Sequence, residues 1–478
     1  MKVRIVIQIL FIILISESLG SQISGFVFRD FNSNGIRDVS SGFTESLVSG
    51  ITVTAFPASG ISQSTTTAID GSYNFTGLAL PLRVEFSGYA NSEYSTFVGS
   101  GSTTSVQFYS TTTTNANFGI NYPPDYCQSN PPIVVSCFVN GDITSGSPQD
   151  VLVKFNYNSS GASDPSKTVL STKNQMGSVW GTAYSSSRNR VYSASVIIAH
   201  VGLGPSGIGA VYSIDPSSGT SNASLFATIP NVGSIGSNAA RGLGLTTDPS
   251  RDPEGFSKTG REGLGDIDIS ADEKYLYVIN LYDKRIYIID IDNPSATAQS
   301  VAIPNPGCTN GVFRPFGLKV RKGKLYVGGV CDASSSTGTR NDLKAIVYSM
   351  DLGTNTFDPG TILDFPLDYY RDPAWAEGFY NPTDGTVAPG GESFVTHNRW
   401  WYPWEDTYDP LTYNVGIAPW GHLAHSHPMP ILSDLEFDEN ENLILGFSDL
   451  LAFQIFYANW VPTPTTEFGL TIPVVSGR

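Results

Sequence analysis

Charge is scarce in this 478-residue chain: only 15% of its residues are Asp, Glu, Lys or Arg. What charge there is leans acidic, with 43 carboxylates against 27 Lys and Arg and a formal net charge of −16. Nucleic acid and anionic membrane surfaces would repel such a chain, so neither is expected as a partner. Cysteine is limited to Cys127, Cys137, Cys308 and Cys331, with no Cys-x-x-Cys pair. That spacing argues against a thiolate zinc site or a redox dithiol. No P-loop, Gly-x-Ser-x-Gly or dinucleotide glycine motif stands in a credible strand–helix context, so nucleotide chemistry has no support. Helical periodicity is nearly absent. No apolar run approaches the ~20 residues that a membrane span needs.

The nearest to such a run is Ile5 to Ile15, which follows Lys2 and Arg4 and precedes Ser18-Leu19-Gly20. A basic start, a short apolar stretch and a small-residue site are the order of a secretory signal, taken as residues 1–20. The expectation is a secreted or cell-surface protein with no membrane insertion once the signal is removed. In that setting four cysteines suggest disulfides, and three pairings are possible. Proximity favours Cys127–Cys137 and Cys308–Cys331.

Gly, Ser, Thr, Tyr and Phe are abundant, and the apolar residues alternate. Gly265 to Ser270, Leu276 to Asn280 and Ile286 to Asp290 are three such runs separated by turn-formers. Period-two alternation marks strands with one buried face, and three in a row make a meander. The phrase recurs at Trp180–Tyr184, Phe316–Val320 and Ser433–Phe437. Val211–Asp215, Ile286–Asp290 and Val347–Asp351 also match one another. A unit repeated every ~40–50 residues reads as a propeller blade. The fold expected is all-β: a small sandwich over 21–122, a linker with short strands over 123–170, and a β-propeller of about six or seven blades over 171–478. Ala210 to Ala227 could hold an extra blade. The chain ends at Arg478 without a clear closing strand. Either a strand from 133–155 completes the ring or the sequence continues naturally beyond this point.

Near the start, Asp30-Phe31-Asn32-Ser33-Asn34-Gly35-Ile36-Arg37-Asp38 places oxygen side chains at loop positions 1, 3, 5 and 9 around a turn-forming glycine. Alternate residues of a tight loop can aim oxygens at a hard cation, with the Ile36 carbonyl as a backbone ligand. Position 12 is Ser41 rather than the bidentate Glu of an EF-hand, and Glu45 could fold back instead. Strand-like segments follow, with Asp70-Gly71 as a hairpin turn.

Gly25-Phe26-Val27-Phe28-Arg29-Asp30, Asn32-Ser33-Asn34-Gly35, Val48-Ser49-Gly50-Ile51-Thr52-Val53, Thr67 to Phe75 and Ala116-Asn117-Phe118-Gly119 carry a resemblance. The segment resembles the B-type repeat of bacterial SD-repeat surface proteins (SdrD B-like), a prealbumin-like sandwich related to collagen-adhesin B domains. The resemblance implies calcium at Asp30, Asn32, Asn34 and Asp38, with the closing acid at Glu45. Some relatives of this fold form a Lys–Asn isopeptide crosslink. No Lys occurs between Lys2 and Lys154, so this copy cannot. The second half resembles the YVTN/WD40-like secreted propellers, with Leu276-Tyr277-Val278-Ile279-Asn280 as the nearest match. That implies a fold, and a fold does not imply a function.

Propellers bind ligands through loops that lead into the innermost strands. Asp266, Arg314 and Asp434 stand at such places and could meet at one funnel as a cation, sugar or acid/base site, or simply cap turns. Trp400-Trp401-Tyr402-Pro403-Trp404 is the densest aromatic run; Trp400, Trp401 and Trp404 could stack on sugars or pack on the propeller rim. His425 and His427 share a side of a strand and could ligate a metal with His397, Glu405 or Asp406, although their spacing also fits a polar loop. Asn74, Asn158 and Asn222 head Asn-x-Ser/Thr triplets. The function expected is binding or adhesion to an extracellular protein or glycan. The alternatives are an extracellular propeller enzyme acting on a carbohydrate or lactone, and a structural envelope component.

Overall fold

In a computed structural model of the chain, the described residues are 21–31, 33–39, 44–90, 93–95, 102–125, 130–161, 167–219, 223–296, 298–371, 400–409, 414–417, 423–438, 441–463 and 471–473. Residues 1–20, expected as a secretory signal, and Asn32, Ser41, Cys127, Asn222 and His397 lie outside them. The chain divides into two compact units, Met1–Gln128 and Ser129–Arg478. Among the described residues no helix is long and apolar enough to cross a membrane.

The first unit is a sandwich of two sheets. One holds β1 (Gln22–Arg29), β4 (Ser72–Thr76), β6 (Tyr94–Ser95), β7 (Ser102–Thr103) and β9 (Asn117–Asn121), with β1 and β9 parallel. The other holds β2 (Thr52–Pro57), β3 (Gln63–Thr66), β5 (Leu82–Ser87) and β8 (Val106–Tyr109) in the order β3-β2-β5-β8. Alternation decides which side chains enter: Leu82, Val84 and Phe86 are buried while Arg83 and Glu85 pair outside. Phe86 stacks on Phe118 across the core at 4.6 Å. The Asp70-Gly71 turn forms but is not a hairpin. β3 pairs with β2 and β4 with β1, so this turn carries the chain from one sheet to the other. Gly71 sits at φ +68°, and a Cβ there would lie 2.7 Å from the Val27 carbonyl oxygen. The turn is therefore backed directly onto β1.

The second unit is built of meanders. The stretch expected over 123–170 as a linker with short strands contributes a three-stranded sheet of β10 (Pro132–Ser136), β11 (Asp150–Asn156) and β12 (Thr168–Thr172). Val151, Leu152 and Leu170 pack with Val191, Tyr212 and Ile214, so this sheet lies against the next one. That next sheet runs β13 (Val179–Ser185), β14 (Arg190–Ser195), β15 (Ala210–Ile214), β16 (Ser224–Thr228). Ala210 to Ala227 is thus not an extra blade; it supplies the third and fourth strands of this one. The following sheets are β17 (Leu264–Ile269), β18 (Tyr275–Asn280), β19 (Arg285–Asp290), β20 (Gln299–Ala302), and β21 (Phe313–Arg321), β22 (Lys324–Cys331), β23 (Lys344–Asp351), β24 (Thr356–Phe357), with β25 (Leu363–Pro366) beside β23. β26 (Asn414–Ile417), β27 (Leu423–His425) and β30 (Thr471–Pro473) form one small sheet, and β28 (Pro430–Phe437) pairs with β29 (Leu443–Asp449). The three matching sequence endings are the third strands β15, β19 and β23.

The first strands β13, β17, β21 and β28 pack side by side in chain order, as the innermost strands of propeller blades do. Each is bulged near its start, between Val179 and Thr182, Leu264 and Ile267, Pro315 and Gly317, and Leu432 and Asp434. Close approach explains the glycines of the repeated phrase. A Cβ on Gly181 would lie 2.7 Å from the Ile267 nitrogen, and one on Gly317 would lie 2.9 Å from the Leu432 oxygen. Glycine leaves room for the neighbouring blade's backbone where any side chain would collide.

Candidate functional site

In a meander, the start of strand one, the link between strands two and three, and the exit of strand four fall at the same end. The long connections 196–209, 229–263, 303–312 and 332–343 therefore share one face of the propeller, here called the funnel face.

Aromatic rings fill its floor. Trp180 of the first blade meets Phe316 of the third at 6.0 Å, and Phe453 and Phe138 at 5.2 and 6.3 Å. Trp404 is buried nearby: its backbone N–H donates to the Asp332 carbonyl and its Nε1 to the Pro430 carbonyl. The Arg261 and Arg314 guanidiniums lie 5.2 and 5.7 Å from its ring centre. Arg314 pairs with Asp332 at 2.7 Å, and Asp332 also accepts from the Val312 and Ser334 amides. Burial, then the positive charge of Arg314, holds the nearby Lys284 ammonium below its usual range. The disulfide Cys308–Cys331, expected from proximity, spans a Cα–Cα distance of 5.4 Å beside these loops. Cys127, the other half of the expected Cys127–Cys137 pair, lies outside the described residues.

Asp266 and Asp434 come close enough together to repel. Burial, then the Asp434 charge, raises the Asp266 carboxyl well above its ordinary value. Arg314 does not join them. Asp266 accepts from the Leu318 amide of the next blade at 3.0 Å and Asp268 from the Val320 amide at 2.8 Å. Asp434 accepts from the Leu435 amide at 2.8 Å. The Asp266 and Asp268 carboxylates stitch one inner strand to the next, a role that alternation alone hides.

The aromatic run divides. Trp401 is buried, with the Arg371 guanidinium 3.7 Å from its ring centre, and Trp404 is buried as described; neither presents a face to solvent. Trp400 remains half-exposed, edge-on to the exposed Tyr370 at 5.4 Å. The Arg340 guanidinium lies 4.8 Å from the Trp400 ring and 5.3 Å from Tyr402. Among the described residues Arg340 has no carboxylate partner. Trp400, Tyr402, Tyr370 and Arg340 form a cationic, aromatic platform. Arg340 and Tyr370 gave no sequence signal; Tyr402 lay within the run. His425 and His427 are both buried. The Tyr408 hydroxyl meets His425 Nε2 at 2.6 Å, and His427 stacks on Tyr402 at 4.7 Å. Among the described residues no group of three or more His, Cys, Asp or Glu is arranged to hold a metal.

Sequence reasoning also missed a buried polar hub under the loops. Arg241 pairs with Asp252 with both side chains fully buried, and its guanidinium donates to the Ile198 and Val201 carbonyls. Asp252 accepts from the His200 amide at 2.7 Å and caps the short helix Pro253–Lys258. His200 Nδ1 meets Ser250 Oγ at 2.8 Å. Burial pulls the His200 imidazole down to about 4, so it is neutral at pH 7. Asp252 just before Pro253 is a legible helix-start signal; its pairing with Arg241 is not.

In the first unit, Asp30 is buried and accepts from the Asn34 and Gly35 amides at 3.1 and 2.6 Å. Asn34 Oδ1 accepts from the Ile36 amide, and Asn34 Nδ2 donates to Asp38 at 3.1 Å. Glu45 does fold back: its two oxygens accept from the Phe31 and Asp38 amides at 2.9 and 2.8 Å. Burial, with the Asp30 and Asp38 charges adding, raises its carboxyl to about 7. Asp30, Asp38 and Glu45 thus lie near enough to repel, but the Asp30 and Glu45 oxygens accept from backbone amides, and the three acids are not arranged around one metal position.

No family model matches the chain. It is 26% identical over 455 residues to Colossin-A of Dictyostelium discoideum, covering 89% of this chain and 4% of that protein. It is 26% identical over 436 residues to Colossin-B of the same organism, covering 89% of this chain and 10% of that protein. The chain therefore spans a tenth or less of these relatives. Among solved structures, the nidogen/laminin complex aligns at 8% identity and a TM-score of 0.27, over 49% of this chain and 62% of that one. Luciferin-regenerating enzyme aligns at 12% identity and a TM-score of 0.24, over 72% and 94%. Likenesses this partial carry no functional weight.

Proposed function

We propose that this chain is a secreted or cell-surface binding protein. Its propeller presents the Trp400–Tyr402–Tyr370–Arg340 platform to an extracellular glycan or protein, and a calcium-stabilised SdrD B-like sandwich precedes it. The observation that carries the reading is the platform itself. The exposed Tyr370 ring and the half-exposed Trp400 ring can meet sugar C–H groups, and the Arg340 guanidinium, backed by Trp400 and Tyr402, can grip hydroxyl or carboxylate oxygens. The enzyme alternative needs a free acid and base; Asp266 and Asp434 instead bind the backbone around them. Glycan-array binding by the soluble chain tests the proposal. Trp400→Ala should abolish capture without altering the melting curve. If the wild-type chain captures nothing, while a glycoside and lactone panel turns over, the enzyme reading takes its place.

A further inference from the structure

The sequence contains three Asn-x-Ser/Thr triplets that the binding reading leaves unused. Asn222 lies outside the described residues, and Asn74 sits mid-strand with its side-chain oxygen taken by Gln22 at 3.3 Å. Asn158-Ser159-Ser160 is placed differently. It turns the chain just past β11, with Asn158 and Ser160 both exposed. The Asn158 amide N–H donates to Asn130 Oδ1 at 3.0 Å and the Ser159 N–H to the Asn156 carbonyl at 2.9 Å. These bonds fix the backbone and leave the Asn158 side chain without a partner among the described residues.

The surface beside it is one that a β protein ordinarily has to protect. β10 is the edge of its three-stranded sheet. Ile133 and Val135 on that strand are 37% and 40% exposed, and Tyr157 at the end of the neighbouring strand is 70% exposed. Ile133 pairs with Phe155, so Tyr157, two residues on, shares its face. An open edge with apolar side chains invites pairing with another chain, and β10 itself carries no lysine of the kind that often guards such an edge.

We infer that Asn158 carries an N-linked glycan that shields this edge. The inference rests on the secreted reading above, because the donor is a lipid-pyrophosphate oligosaccharide of the secretory membrane. Nδ2 of Asn158 forms a bond to the anomeric carbon of the first sugar. The carbon–oxygen bond to the lipid pyrophosphate breaks, that leaving group keeps the electron pair, and an amide proton is lost to solvent. The Ser160 hydroxyl supplies the third position of the acceptor triplet.

The full chain with its own leader is expressed in Dictyostelium cells, the organism of the relatives, and the medium and cell surface are collected. Peptide mass spectrometry after glycosidase treatment should convert Asn158 to Asp. Asn158→Gln and Ser160→Ala should each remove one glycan's mobility shift, and both should raise the aggregated fraction at least twofold. Replacing Tyr157 with Thr in the Asn158→Gln background should restore solubility. A secreted chain with unmodified Asn158 overturns the glycan and leaves the binding reading standing. A chain retained inside the cell and unmodified overturns both. Glycosylated Asn158 with no change in aggregation on its loss overturns the shielding role.

Discussion

Calcium should govern the stability of the first unit, and Glu45 makes the effect pH-dependent. Extracellular calcium modules bind with dissociation constants on the order of 10⁻⁴–10⁻³ M. At about 10 mM calcium, ligand linkage then stabilises the folded unit by about 1.4–2.7 kcal/mol. For a unit of roughly 100 residues, each kcal/mol moves the melting temperature by about 4–8 °C, giving a shift of about 6–22 °C. The sign with pH follows from Glu45, whose carboxyl is raised from 4.5 to about 7 by burial and by Asp30 and Asp38. Without metal, a carboxyl raised on folding contributes stability that is present below pH 4.5 and lost as pH rises through 7. Calcium needs the ionised form, so its affinity should fall about tenfold per pH unit below 7. Calorimetry of the full chain at pH 8 and pH 6, with calcium and with chelator, reads both effects. All seven tryptophans lie in the second unit. Tryptophan emission should therefore show no calcium shift, while the calorimetric transition of the first unit does. Asp30→Asn and Glu45→Gln should remove the shift. A first-unit transition that ignores calcium at pH 8 would sink the site.

Four further outcomes are expected. Asp252→Ala leaves the Arg241 guanidinium buried without its carboxylate and should cost about 3–5 kcal/mol in urea melts followed by tryptophan emission; a loss below about 1 kcal/mol would refute the buried pair. His200 is held at about 4 against an ordinary 6.5, so the unfolded chain protonates first. Stability should be full above pH 6.5 and fall by about 3 kcal/mol toward pH 4, and His200→Gln should flatten that slope. Gly181→Ala and Gly317→Ala push a methyl into the next inner strand and should each cost about 1–3 kcal/mol, whereas Gly323→Ala, at a turn with open space, should cost less despite its strain. Trp401→Ala should destabilise by about 3–5 kcal/mol because the ring is buried, while the half-exposed Trp400→Ala should leave the melt unchanged.

Residue order alone determined the all-β class and the blade phrase, and proximity favoured the Cys308–Cys331 bridge among three possible pairings. Period-two burial is a local property, readable within a dozen residues or so, and the two cysteines stand only 23 residues apart. Tertiary structure decided what those phrases do. Ala210–Ile214 looks like any other strand until its partner, β14, is known. Asp70-Gly71 reads as a hairpin because turn chemistry does not say which sheet the next strand joins. Trp400, Trp401 and Trp404 are aromatics of one kind within five positions, yet two are core and one is half-exposed; the packing of distant loops separates them. Asp266 reads as a ligand group until the Leu318 amide of the next blade is placed against it. Arg241, Asp252 and His200 are polar residues scattered over 53 positions, and only the folding of their loops into one dry space makes them a unit. Burial and partner choice depend on neighbours far along the chain, and a pattern read along the sequence cannot contain them.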